Sequence, residues 1–137
     1  METQLHRSVG TLRYTRVPGY GFRLVLEIDK GIPLFYRSLI PKWFPTSGQR
    51  HTPHISVVRR EVPTNLKAWG KYEGERIEFF YSHDIQRDNQ YWWLDCFSTR
   101  LEEIREELGL PLTSFRKPAD GFRKVWHTTV ANEKETA

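Results

Sequence analysis

The fold is decided by residues 52–58, TPHISVV, and by a later counterpart at residues 126–130, WHTTV. Each stretch contains a His-x-Ser/Thr-apolar tetrapeptide within an apolar pattern that is typical of a strand. Successive side chains of a strand point to opposite faces, so His54 and Ser56 share one face, as do His127 and Thr129. The pattern therefore predicts two strands that each present an imidazole and a hydroxyl on the same side.

The repetition of this motif favours catalysis over a structural role for the histidines. A single His near a Ser in a strand is usually a surface histidine or a satisfied buried one, and the chain has 5 His in all. Two copies in the same strand phase are harder to explain in that way. Histidine exchanges protons near neutral pH, and a hydroxyl can hydrogen-bond a phosphate oxygen. We expect the two strands to lie side by side and to form a two-sided phosphate site.

Length and composition predict one packed domain spanning residues 1–137, with two similar lobes. An aromatic content of 14% beside 28% charged residues argues against a disordered chain. No apolar run approaches the roughly 20 residues that a membrane-spanning helix needs, so we expect a soluble, cytoplasmic protein without a membrane partner. Cys96 is the only cysteine, which excludes an internal disulfide and a thiolate metal cluster. The net charge of +4 is compatible with a polyanionic ligand.

The remaining patterns predict an α+β fold in which antiparallel strands line a central cleft. Thr99 and Glu102 form a capping-box pattern at the start of the clearest helix, whose acidic side chains we expect to face solvent. His51 is expected in a loop at the rim of the cleft. The other predicted elements are a short helix at 34–40 and strands at 8–17, 22–28, 53–60, 76–82, 91–97 and 122–130. We expect two hairpins, one formed by the strands at 8–17 and 22–28 and one by the strands at 76–82 and 91–97.

With these motifs and predicted elements, the sequence resembles the two-histidine (2H) phosphoesterases, whose mark is a pair of His-x-Ser/Thr-x tetrapeptides on strands that line a bilobal cleft. Residues 54–57, HISV, and 127–130, HTTV, fit both copies. Within that superfamily, residues 17–21 (VPGYG), 53–59 (PHISVVR) and 69–74 (WGKYEG) are similar to phage anti-CBASS phosphodiesterases. Those proteins degrade the cyclic oligonucleotide signals of bacterial immunity.

The resemblance implies a metal-independent phosphodiesterase that uses no cofactor and cleaves 3′-5′ linkages of cyclic di- or trinucleotides. A phage-encoded enzyme of this kind would act in the host cytoplasm, and no stable protein partner is predicted. The catalytic residues would be His54, Ser56, His127 and Thr129. One His would deprotonate the 2′-hydroxyl that attacks phosphorus, and the other would protonate the leaving 5′ oxygen. The sequence does not say which His has which role.

Substrate binding would require cationic and aromatic side chains beside this site. The candidates are Tyr20, Arg59, Trp69 and Tyr72, since aromatic rings stack on bases and Arg attracts phosphate. Two other functions keep the same motif. The protein would then be a 2H RNA phosphoesterase acting on 2′,3′-cyclic phosphate ends or 2′,5′ linkages, or a nucleotide-binding module without catalysis.

Overall fold

The structure is a computed structural model and describes residues 4–19, 21–48 and 51–133. This part of the chain forms eight β-strands, two α-helices and a short 3₁₀ helix at Leu66–Ala68. The α-helices are α1 (Gly31–Ser38) and α2 (Thr99–Glu107). The strands are β1 (Leu5–Val17), β2 (Gly21–Glu27), β3 (Thr46–Ser47), β4 (His54–Arg59), β5 (Arg76–Ser82), β6 (Gln86–Arg87), β7 (Tyr91–Phe97) and β8 (Trp126–Glu133).

The strands form one antiparallel sheet in the order β3-β8-β7-β5-β1-β2-β4, and β6 pairs with β7 beside this path. The sheet curls so that β4, at one end of the order, contacts β8, near the other end. The prediction of an α+β fold with antiparallel strands is thus confirmed, and so are the hairpin of β1 with β2 and the pairing of β5 with β7. The division into two lobes stays a prediction.

Both α-helices pack on the face of the sheet that receives the apolar residues of the motif strands. Ile55 and Val57 of β4 are buried in a cluster that includes Leu101 and Ile104 of α2. Val130 of β8 lies in a second cluster, with Tyr36 of α1 and Trp92 of β7. Burying a large aliphatic side chain contributes about 1.5–3 kcal/mol, so these residues fix which face of each strand points inward. The histidines and hydroxyls are consequently left on the other face.

Helix α2 begins at Thr99, as predicted, but its capping residue differs from the one in the predicted capping box. Ser98 is the N-cap, and its hydroxyl accepts a hydrogen bond from the backbone N–H of Leu101. Glu102 is 1% exposed, so the expectation that it faces solvent is wrong. Its carboxylate accepts hydrogen bonds from the backbone N–H groups of Arg123 and Lys124, just before β8. The helix therefore holds the approach to the second motif strand in place.

The short first helix also differs from its predicted bounds, because α1 begins at Gly31, ahead of Pro33. A proline is tolerated in the first turn of a helix, where its missing N–H has no intrahelical partner. In the described part of the chain, no helix is long and apolar enough to cross a membrane.

Candidate active site

The two motif strands show the predicted alternation. In β4, Ile55 and Val57 are buried while His54 and Ser56 are half-buried on the opposite face. In β8, Thr128 is buried, whereas His127 keeps contact with solvent and Thr129 is half-buried. An imidazole and a hydroxyl thus share a face in each strand, two residues apart.

Each motif strand also contains a β-bulge directly after its hydroxyl residue. Ser56 is opposite Val25 of β2, but the next paired residue is Val58, so Val57 is the extra residue of β4. The extra residue of β8 is Val130, at the equivalent position. A bulge bends its strand and increases the local twist, and it shifts the alternation by one residue. Neither bulge was predicted, although two consecutive apolar residues follow each hydroxyl residue in the sequence.

The bulges bring one more residue of each strand onto the face of the motif. In a regular strand, Ser56 and Arg59 would lie on opposite faces, because they are three positions apart. With the extra residue, Arg59 lies on the same face as Ser56, and Asn132 lies on the same face as Thr129. Their cross-strand partners are Arg23 of β2 and Tyr91 of β7.

These side chains line one cleft of about 510 Å³. The cleft brings together all four predicted catalytic residues, and it includes Arg59 from the predicted substrate-binding set. His51 also lines it, as expected for a residue at the rim. The full lining consists of Val17, Arg23, His51, His54, Ser56, Arg59, Tyr91, His127, Thr129 and Asn132.

The orientation of His54 is set by a hydrogen bond to Thr52, which lies two residues before it and just ahead of β4. Its Nδ1 lies 2.7 Å from the carbonyl oxygen of Thr52, which can only accept a hydrogen bond, so Nδ1 carries the proton. In the neutral ring, Nε2 is then left with a lone pair. Burial lowers the pKa of His54 below its ordinary value, the bond to Thr52 opposes this change, and the positive charge of Arg23 lowers the pKa further. His54 therefore has the properties of a base.

His127 lies in a different electrostatic environment. Burial lowers its pKa, but the carboxylate of Asp95, directly opposite on β7, acts in the other direction and favours the protonated ring. The charges of His54 and Arg59 also lower the pKa of His127, and Asp88 raises it. His54 and His127 both line the cleft.

Two of the predicted substrate-binding residues, Trp69 and Tyr72, are not among the cleft lining. Trp69 packs edge-on against Tyr14 and Phe22, with ring centroids 5.0 and 4.9 Å apart, and contributes to the core. The hydroxyl of Tyr72 donates to Glu107 of α2 at 2.5 Å. Both rings are engaged in packing between elements, so this geometry gives no support to a role in binding. Tyr20 lies outside the described residues.

Two smaller pockets adjoin the cleft, one beside His54 and the other beside His127. One, of about 380 Å³, shares Arg23, His51 and His54 with it. The other, of about 340 Å³, shares Arg59, Tyr91 and His127. The three spaces form a groove with the two histidines near its middle.

Within residues 4–19, 21–48 and 51–133, no three His, Cys, Asp or Glu side chains are grouped so that they can hold a metal ion. The chemistry that the cleft residues themselves offer is proton transfer by two imidazoles, hydrogen bonding by two hydroxyls and neutralisation of negative charge by two guanidinium groups.

This arrangement can bind and polarise a phosphodiester. No protein-family model, no curated protein and no solved structure matches the chain.

Proposed function

We propose that the protein is a metal-independent phosphodiesterase that cleaves 3′-5′ linkages of cyclic di- or trinucleotide immune signals, with His54 as general base and His127 as general acid. The observation that carries the proposal is the convergence of both motifs on one cleft, with His54 Nδ1 already bonded to Thr52. The repeated bulges also support a 2H phosphoesterase fold with two related halves.

The reaction begins at the side of the cleft formed by β4. Nε2 of His54 accepts the proton of the 2′-hydroxyl, and the 2′ oxygen attacks phosphorus as the bond to the 5′ oxygen breaks. The imidazolium of His127 gives its proton to the departing 5′ oxygen. The products are a 2′,3′-cyclic phosphate and a free 5′-hydroxyl, and water can open the cyclic phosphate when the two histidines exchange roles.

The other cleft residues stabilise the negative charge that develops on the non-bridging oxygens. The hydroxyls of Ser56 and Thr129 are placed to donate hydrogen bonds from the two sides. Arg23 and Arg59 add positive charge on the side of His54. Such donors accelerate the reaction because they act on charge that is larger in the transition state than in the substrate.

The test is incubation of the purified protein with cyclic dinucleotides and trinucleotides in a chelator, followed by chromatography. We expect products with 2′,3′-cyclic phosphate and 5′-hydroxyl ends, and no cleavage of 2′-deoxy analogues. His54→Ala and His127→Ala should each lose about 10²–10⁴-fold in turnover. His83→Ala is the matched control, because His83 hydrogen-bonds His6 and lies away from the cleft lining. Full activity of either cleft variant would contradict the proposal.

A second function is favoured by the shape of the groove, which continues beyond the cleft on both sides. A longer RNA strand can occupy such a groove, so cleavage of 2′,3′-cyclic phosphate ends or 2′,5′ linkages would use the same residues. Activity on RNA ends without activity on cyclic oligonucleotides would select this function. Tight binding without products would instead select a nucleotide-binding module.

A further inference from the structure

The pocket beside His127 is lined by aromatic side chains, and we define it as the aromatic pocket by Tyr91, Trp93, Phe115 and His127. Its volume of about 340 Å³ is within the range of about 300–1,000 Å³ that small-molecule sites occupy. Trp93 is next to His127, with ring centroids 6.4 Å apart and the rings nearly perpendicular. A flat ligand in this pocket would therefore contact rings while its phosphate reaches the cleft.

Phe115 is the most exposed ring of the aromatic pocket. It is 104% exposed, which means that its side chain lies wholly in solvent at the rim of the pocket. Large apolar side chains are usually covered, and an uncovered one at a pocket rim offers a stacking surface. The energetic cost of leaving this ring in water would be recovered when a planar ligand covers it.

The segment that carries Phe115 is held on both sides. Ser114 accepts a hydrogen bond from the backbone N–H of Val125 at 3.1 Å. On the other side, Arg116 binds the carboxylate of Asp95 with both terminal nitrogens, at 2.8 and 3.0 Å. This bidentate geometry is among the stronger ion-pair arrangements. The ring is thus presented by an anchored segment.

The pocket beside His54 has fewer aromatic side chains, although charged side chains line both pockets, as Asp88, Asp95 and Arg116 do beside His127. In the pocket beside His54, Arg13 bridges Glu27 and Glu73, at 2.9 and 3.3 Å, so charged side chains form its walls. Its rings are Tyr14, which packs edge-on against Trp69, and the imidazoles of His51 and His54. The two pockets therefore offer a nucleobase unequal surfaces, and stacking is favoured beside His127.

We propose that the aromatic pocket binds the base of the nucleoside whose 5′ oxygen leaves, with Phe115 as its stacking platform. This inference rests on the proposed function, in which His127 protonates that oxygen. The nucleoside attached through its 5′ oxygen must then lie on the side of His127, next to the aromatic pocket. Phe115 is a substrate-binding residue in this account and takes no part in proton transfer.

A binding experiment tests the pocket without requiring turnover. We would measure by calorimetry the affinities of 5′-AMP and of ribose 5-phosphate, which share the phosphate and differ in the base. The wild-type protein should bind 5′-AMP about 5- to 100-fold more tightly, as expected for one stacked base. Phe115→Ala should remove most of this difference. Phe35→Ala is the matched control, since Phe35 is also exposed but lies on α1, away from the aromatic pocket. Equal affinities in the wild type, or an unchanged ratio in Phe115→Ala, would overturn the proposal.

A kinetic experiment tests which nucleoside occupies the pocket. A dinucleoside monophosphate has a base on the leaving side, whereas a nucleoside 3′-methyl phosphate has only methanol there. Phe115→Ala should lower kcat/KM about 5- to 100-fold for the first substrate and leave the second unchanged. A loss on both substrates would overturn the assignment, because it would place the attacking nucleoside in the aromatic pocket. Absence of wild-type cleavage would refute the proposed function, and with it the assignment of the pocket to the leaving nucleoside. Whether the pocket binds a base at all is decided separately, by the calorimetric difference between 5′-AMP and ribose 5-phosphate.

Discussion

The two sides of the cleft carry different residues at equivalent positions. Arg59 of β4 and its cross-strand partner Arg23 correspond to Asn132 of β8 and its partner Tyr91. The backbones of the two sides are alike, with the same motif, the same bulge and the same cross-strand geometry. Their charges differ, because one side adds two guanidinium groups and the other adds a phenol and an amide. The carboxylates opposite the histidines are also in different settings: Glu27 is bound by Arg13, and Asp95 by Arg116 and by Trp93 at 3.2 Å.

This comparison suggests how a repeated framework supports two different roles. Cations beside His54 favour its neutral form, which a base needs before it accepts a proton. Burial lowers the pKa of His127, and the carboxylate of Asp95 opposes this change in favour of the charged form that an acid needs. Four predictions test this division, from the largest expected effect to the smallest.

The largest effect should come from the histidines when the leaving group is varied. With a nucleoside 3′-(4-nitrophenyl phosphate), the leaving phenolate needs little protonation, so His127→Ala should lose less than about tenfold, whereas His54→Ala should keep a loss of about 10²–10⁴-fold. Initial rates measured by absorbance would show this. The reverse pattern would exchange the two roles, and equal losses would remove the distinction between the two sides.

The next effect should come from the charge difference at the bulges. Arg59→Met should lower kcat/KM about 10- to 100-fold, because it removes a cation that faces the developing negative charge. Asn132→Ala, at the equivalent position of β8, should change it several-fold less. Steady-state kinetics at two salt concentrations would compare them, and circular dichroism would verify folding. Similar losses in both variants would count against a functional charge asymmetry.

A smaller effect should come from the hydroxyls, for which the two sides are alike. Ser56→Ala and Thr129→Val each remove one hydrogen-bond donor from a charged oxygen, so each should lower kcat by about tenfold. Thr128→Val is the control, since Thr128 is buried on the opposite face of β8. A strong loss in only one of the two cleft variants would mean that the phosphate is bound mainly from one strand.

The smallest effect should be a displacement of the pH profile. The rate should rise with pH as His54 loses its proton and fall as His127 loses its own, and since both pKa values are lowered, the optimum should be more acidic than for two ordinary histidines. Asp95→Asn removes an influence that raises the pKa of His127, so the alkaline limb should move to lower pH while the acidic limb stays. Profiles of kcat/KM between pH 4 and 9 would test this. Movement of the acidic limb alone would assign Asp95 to the base instead.

Much of this arrangement follows from local sequence. The alternation of His54, Ile55, Ser56 and Val57 predicts their faces, and the bounds of β5 and β7 agree with the predicted strands at 76–82 and 91–97. Alternation requires only neighbouring residues, and for this reason it can be derived without knowledge of the partner strand.

Features that depend on strand pairing or on contacts between distant residues could not be predicted from local sequence. Arg23 and Tyr91 reach the cleft through a register that the bulges set, and no property of either residue alone indicates this. Phe115 was missed because an isolated Phe in a loop carries no periodic signal. The helix cap was shifted by one position because Ser98 and Thr99 are both suitable caps. Glu102 was misassigned because its partners are backbone groups distant in sequence.

The extra residue at each bulge links the stability of the protein to the shape of its substrate site. Val57 and Val130 add a second consecutive apolar side chain to the core, and the same insertion returns the following polar residue to the cleft. A chain shortened by one residue at either place would lose hydrophobic contacts and pull Arg59 or Asn132 along the strand by about 3.3 Å. Folding and substrate geometry would then vary together, so engineering of the cleft should leave these two valines in place.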